Sequence, residues 1–346
     1  MQRQRDYFID IIKIYACILV VLGHFAQSML KAQIVSESMF FEWFIQTIYY
    51  FHVPLFFICS GYLFQKYSVV STFSQWKNNF LKKLIALGVP YLVFSTITWG
   101  LKSLFSSAVN EQAHGYFESI FLSPISPYWY LYALILIFLI MPTFFNKKIV
   151  YISLTIAFAL KVITFLPIEI SIYAINTVMQ NLIWFVLGMC LCVFKPFGYI
   201  KPIVQRIIAI SLSVVFVVFS VLLCAYDVEL TAVSFLMGLI GCASTVIFAV
   251  LFSDIDIVKS ISLSLSKYTM PVFLMHTIFA AGLRAVLFKV GITNSLIHIV
   301  SGLAISFIGP VITTIIMERI KYLDFVLYPN KYLKINFRGK NNGKKT

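Results

Sequence analysis

The stretch Asp10-Ile-Ile-Lys13-Ile-Tyr-Ala-Cys-Ile-Leu-Val-Val-Leu-Gly-His24 decides the architecture. The apolar run around it is long enough to cross a bilayer, yet it carries an ammonium near its start and an imidazole well inside. Hydrocarbon penalises both groups. Lys13 and His24 are eleven residues apart, a separation that at ~100° per residue returns to nearly the same azimuth with ~16 Å of rise. Asp10, one turn earlier, lies on the same side, so Asp, Lys and His form a polar stripe on a helix otherwise covered by Ile12, Leu19, Val20 and Leu22. A snorkelling lysine and a helix-bonded histidine account for either residue alone. Their shared face favours function.

Composition sets the class. With 60% hydrophobic and 12% charged residues and a mean hydropathy of +0.92, the 346-residue chain is not an ordinary soluble globule. It reads as an all-α integral membrane protein, a bundle of about ten transmembrane helices with both termini cytoplasmic. Hydrophobic runs near 9–30, 40–64, 83–105, 127–145, 149–166, 170–194, 203–226, 230–252, 268–289 and 295–320 supply the spans. The stretch around Pro167 and Glu169 reads either as a loop or as a break in a re-entrant element. Arg3 and Arg5 precede the first run as in a secretory signal, but the run is too long and too polar, and it is expected to be a retained helix.

The net charge of +14 is explained mostly by topology. With the amino terminus inside, 21 of the 27 basic residues face the cytoplasm, and the exterior holds Lys31, Lys102, Lys161, Arg284 and Lys289. Residues 1–326 form the membrane domain, and 327–346 are expected to be a basic, disordered cytoplasmic tail resting on anionic headgroups. No motif for nucleic acid is present. The six cysteines fall inside apolar runs without ligand or disulfide spacing, and the scattered histidines offer no metal motif. The exterior loop near 106–126, with Glu111, His114 and Glu118, reads as solvated.

In the second span Pro54 is expected to kink the helix and release carbonyls near Tyr50 and Phe51 beside His52. Ser60-Gly61 suits a close helix approach, and no nucleophile elbow surrounds Ser60. Trp129 and its tyrosine neighbours read as an interfacial aromatic belt, or as a platform on which a sugar ring stacks. His276 reads as a packing histidine nearer the cytoplasmic end of its span than His24.

Four blocks together resemble the acyltransferase-3 family of integral membrane O-acyltransferases, in the fucose 4-O-acetylase-like branch. They are Lys13-x10-His24, Phe51-His-Val-Pro-Leu-Phe-Phe-Ile-Cys-Ser-Gly-Tyr62, Tyr128-Trp129-Tyr130-Leu131 and Ser266-Lys-Tyr-Thr-Met-Pro-Val-Phe-Leu-Met-His276. The resemblance implies a bacterial inner-membrane enzyme moving an acetyl or similar group from acyl-CoA to a hydroxyl of a surface polysaccharide or its lipid-linked precursor. The family's usual arginine is Lys13 here, which keeps a point charge for phosphate and loses the bidentate fork.

On that resemblance His24 is the general base, since imidazole suits proton removal at neutral pH. His52 assists it or merely packs beside Pro54. Lys13 and Asp10 are assigned to the donor end, where acetyl-CoA arrives, and Trp129 and His276 to the acceptor. Proteins of this kind have also been proposed to export polysaccharide, so a glycan conduit is the alternative, with a generic transporter third.

Overall fold

The computed structural model describes residues 5–68, 70, 72–106, 112, 114–144 and 146–333. Among these there is no strand, and thirteen helices follow in order: α1 (Tyr7–Lys31), α2 (Met39–Tyr49), α3 (His52–Tyr67), α4 (Phe73–Leu104), α5 (Trp129–Ile140), α6 (Lys147–Ile163), α7 (Tyr173–Phe194), α8 (Pro202–Ala225), α9 (Thr231–Phe252), α10 (Asp256–Leu265), α11 (Thr269–Lys289), α12 (Ser295–Arg319) and α13 (Pro329–Tyr332). Eight helical segments are long and apolar enough to cross a membrane, with α2–α3 and α10–α11 each counted as one. The shorter α5 and α6 occupy the fourth and fifth of the ten expected positions.

α5 is short because Pro142 follows Met141. A residue before proline is driven out of the helical region, and Met141 is extended at φ −86°, ψ 123°. The freed backbone is satisfied by a side chain: Gln65 of α3 donates to the Phe144 carbonyl at 3.0 Å and accepts from the Phe144 amide at 2.8 Å. Irregular backbone at this depth persists only with such partners. The stretch at Pro167 is a plain loop between α6 and α7.

The second span breaks beside Tyr50 and Phe51, where Pro54 is expected to disturb the backbone, but as the start of a new helix instead of a kink. α2 stops at Tyr49 and α3 starts at His52, so Pro54 sits in the first turn of a new helix, where its missing N–H costs no intrahelical bond. His52 bridges the break by donating from Nδ1 to the Ile48 carbonyl at 2.7 Å. Below it α3 and α7 pack backbone to backbone. A Cβ on Gly61 would lie 1.9 Å from the Phe185 carbonyl oxygen, and one on Gly188 would lie 2.0 Å from that of Ile58. Two small residues facing each other permit this approach in a setting where packing drives helix association.

Polar contacts fix which helix ends meet. At the Tyr7 end of α1, Arg5 bonds Asp10 and Ser266, Lys66 pairs with Asp6, and Asn330 bonds the Lys82 carbonyl. At the Lys31 end, Arg284 bonds Ser28, and Ser295 bonds the Ile34 carbonyl at 2.6 Å. Residues assigned to opposite faces from charge alone thus collect at opposite ends of the bundle.

Residues 327–333 are folded: Leu327 is buried, and α13 lies against α4, held by Lys331 and Tyr332 on the fully buried Asp324. Residues 334–346 lie outside the described residues, as do Arg3 and Glu111. The loop carrying His114 and Glu118 folds against α4 through Tyr91, whose hydroxyl donates to the Ile120 carbonyl at 2.5 Å.

Candidate active site

A cavity of about 1300 Å³ opens at the Lys31 end and reaches down to Val21. His24, His52, His276 and Trp129 all line it. His276 is therefore not the remote packing residue expected from its place in the span: its ring centroid is 5.5 Å from that of His24. α11 starts within one residue of the expected span, and it is the packing of α11 against α1, invisible in either segment alone, that brings His276 beside His24.

Hydrogen bonding to carbonyls assigns the same tautomer to His52 and His276. His276 Nδ1 lies 3.0 and 2.9 Å from the Val272 and Phe273 carbonyls, and His52 Nδ1 lies on the Ile48 carbonyl. A carbonyl only accepts, so both Nδ1 atoms carry hydrogen and both Nε2 atoms carry a lone pair. His24 meets a side chain instead. Tyr49 donates its hydroxyl hydrogen to Gln27 Oε1 at 2.8 Å, and its oxygen stands 3.5 Å from His24 Nδ1. The Tyr49 ring also stands edge-on to His52, with centroids 4.8 Å apart.

The lone pair on His276 Nε2 is buried and has no partner among the described residues, and neither has Gln46 Oε1, on another cavity-lining side chain. Buried polar atoms are nearly always bonded. A cluster of imidazoles around one cavity, with an unspent Nε2 acceptor on His276, is equipped to take a proton from a hydroxyl brought into it. The wall behind His276 is rigid. Tyr128, fully buried, donates to the Leu274 carbonyl at 2.9 Å and accepts from Thr98 at 2.8 Å, tying α11 to α4.

Lys13 and Asp10 are not in this cavity. Asp10, 7% exposed, accepts from Arg5 Nε at 2.5 Å and lies 3.7 Å from Lys13 Nζ. Between that group and His24 lie Cys17, Val21 and Val272, a packed apolar cluster backed by Phe56 and Phe307 whose Val21 forms part of the cavity wall. The stripe drawn along α1 is thus divided into a histidine end and a lysine end with apolar packing between them.

Sequence reasoning missed Gln27 and Tyr49, although Gln27 stands three residues after His24 on one helical face and Tyr49 immediately precedes the break. It also placed Lys161 and Arg284 only as exterior charges. Both line the cavity.

Eight helical segments long and apolar enough to cross a membrane, with no strand among the described residues and three imidazoles lining one cavity, define a multi-pass helical membrane protein. A family model described as an acyltransferase domain matches residues 6–315, and the chain belongs to this acyltransferase-3 family. Every residue of the site falls inside the match. The nodulation protein NolL of Mesorhizobium japonicum is 27% identical over 170 residues, covering 49% of this chain and 43% of that protein. The chain thus matches less than half the length of this curated relative. No solved structure matches the chain.

Proposed function

We propose that the protein transfers an acetyl or similar short acyl group from acyl-CoA to a hydroxyl of a cell-surface polysaccharide or its lipid-linked precursor, in the manner of the fucose 4-O-acetylase-like branch, at a bacterial inner membrane. The observation that carries the reading is the His24–His276 pair, two imidazoles 5.5 Å apart in one cavity of an acyltransferase-family protein, with His276 Nε2 buried and unbonded among the described residues.

On this reading the acceptor hydroxyl enters from the Lys31 end and gives its proton to His24 Nε2. Its oxygen attacks the thioester carbonyl, a C–O bond forms, the C–S bond breaks, and the CoA thiolate takes the proton back from the imidazolium. Tyr49 and Gln27 hold the His24 ring by its other nitrogen, while His276 is a second resting place for the proton. Trp129 offers an apolar face to the sugar.

The donor's polyanionic end docks at Lys13, and Asp10 positions that ammonium instead of touching the donor itself. For the pantetheine arm to span the ~16 Å to His24, the cluster at Cys17 and Val21 has to part by the width of one extended chain. A glycan conduit would need a wider opening through the same packed cluster, which favours acyl transfer.

Purified protein supplied with acetyl-CoA and a lipid-linked or capsular glycan fraction tests the reading. Free CoA and acetylated glycan are expected with the native chain and not with His24→Ala. Export of glycan in cells that depends on this chain, with no release of CoA, would overturn it.

A further inference from the structure

The cavity is charged in a way that proton transfer alone does not require. Lys31, Lys102, Lys161, Arg284 and Lys289 line it, with Glu229 as the one carboxylate among the described lining residues. These five are all the basic residues that the charge pattern assigned to the exterior face. Lys31, Lys102, Lys161 and Lys289 stand in the last turns of α1, α4, α6 and α11, where a cation also complements the helix dipole. The dipole is sufficient for a solvated lysine such as Lys289.

It does not account for Arg284 or Lys161. Arg284 is 5% exposed, lies more than a turn before the end of α11, and among the described residues bonds the hydroxyl and carbonyl of Ser28 alone. Lys161 is 9% exposed, and its ammonium rests over the rings of Phe165 and Phe235 at 5.8 and 5.6 Å. Among the described residues neither has a carboxylate within 4.0 Å. A buried cation without a counterion is costly, and within a membrane such residues face a cavity and wait on a partner. Arginine suits phosphate or carboxylate through its planar fork.

We propose that the acceptor is a glycan bearing an anionic group, either the phosphate of a lipid-linked sugar or the carboxylate of an acidic sugar, and that Arg284 and Lys161 form the subsite holding it. This rests on the acyl-transfer reading and narrows its substrate class. The anion supplies the missing counter-charge, while Lys31, Lys102 and Lys289 raise its local concentration at the mouth. Arg284 precedes the end of the same helix that carries His276, so anchoring the anion also sets the sugar's distance from the imidazoles.

The test uses the full chain in nanodiscs of zwitterionic lipid, with pyrophosphate, glucuronate and glucose as probes at matched ionic strength and binding followed calorimetrically. The native chain is expected to bind an anion and not glucose. Arg284→Gln and Lys161→Gln are expected to weaken the anion by about tenfold or more, and Arg284→Lys to retain most of it. Preference for pyrophosphate assigns a phosphate-linked acceptor, and preference for glucuronate an acidic sugar. Equal binding of glucose, no anion binding, or unaltered binding in both glutamine variants overturns the subsite.

Acyl transfer measured in parallel separates the two claims. Anion binding lost in the variants, with no acyl group moved to any glycan by the native chain, keeps the subsite and rejects the acyl-transfer reading. Undiminished transfer by Arg284→Gln to a neutral glycan does the reverse.

Discussion

At the Tyr7 end of the bundle Asp10 sits against Arg5 and Lys13, Asp6 meets Lys66, and Asp324 meets Lys331. At the Lys31 end Arg284 leans on a serine and Lys161 on two aromatic rings. Both ends are basic, but the Tyr7 end pairs several of its cations with carboxylates, Lys83 on the Phe138 ring being an exception, whereas at the Lys31 end Arg284 and Lys161 have no carboxylate within 4.0 Å among the described residues. Compensated ions hold helices together, and uncompensated buried ions mark where a ligand's charge belongs. The histidine cluster lies below the second kind.

The strongest way to break this contrast is to remove chemistry from the cavity without touching its packing. His24→Ala is expected to lower acyl transfer by about 10²–10⁴-fold, the usual contribution of a positioned acid–base group, with the thermal midpoint of the detergent-solubilised protein unchanged. Loss of transfer together with a large fall in midpoint would make His24 a structural residue.

Stability should separate the two ends next. Asp10→Asn leaves Arg5 and Lys13 without their counterion, and since both cations are partly solvated the cost is expected to be about 1–2 kcal/mol, seen as a lowered midpoint. Arg284→Gln in the absence of acceptor is expected to leave the midpoint level or raised, because a buried charge is removed and no carboxylate is orphaned. Equal falls in both variants would erase the distinction between the ends.

Much of the fold was legible because its signals are local. Apolar runs of span length and the bias of basic residues mark ten helical positions and the ends at which they meet. The break at Tyr50 was less legible, since Pro54 suggests a kink wherever it falls and only the register of His52 on the Ile48 carbonyl shows a new helix beginning. Within the site, His24 stood out as an imidazole in an otherwise apolar run. Gln27 and Tyr49 did not, because their value lies in a bond between two helices. Arg284 and Lys161 were visible as exterior charges and silent as cavity residues, since four helices have to converge before their cations share one space.

A smaller effect sharpens the donor end. Lys13→Ala is expected to raise the KM for acyl-CoA by several-fold to about tenfold and leave kcat close to native, the signature of lost binding common to ground and transition states. Initial rates over a range of donor concentration check this. A fall in kcat at unchanged KM would move Lys13 into the chemistry.

The smallest expected effect concerns the cap formed by α13. Removal of Asp324 from water alone would raise its pKa, but hydrogen bonds from Lys331 and Tyr332 hold it below the ordinary 3.8. The same hydrogen bond to Asp324 holds Lys331 above its ordinary 10.5. A lowered carboxyl pKa stabilises the folded state above 3.8 and is lost as pH falls through the depressed value, and a raised ammonium pKa stabilises below 10.5 and is lost as pH climbs through the elevated one. Hydrogen exchange of the amides in Pro329–Tyr332 is therefore expected to be protected equally at pH 5 and pH 8, after correction for intrinsic rates, and to lose protection only in strong acid or strong alkali. Loss of protection between pH 5 and pH 8 would show that this pair does not hold the cap.

The most direct measurement is a double-mutant comparison of acyl transfer from acetyl-CoA to glycan, using native protein, His24→Ala, His276→Ala and the double variant. Two imidazoles serving one proton act as a unit, so each single variant is expected to lose nearly as much rate as the double. Losses that multiply, or a His276→Ala variant with native rate, would contradict the shared site and leave His276 as packing.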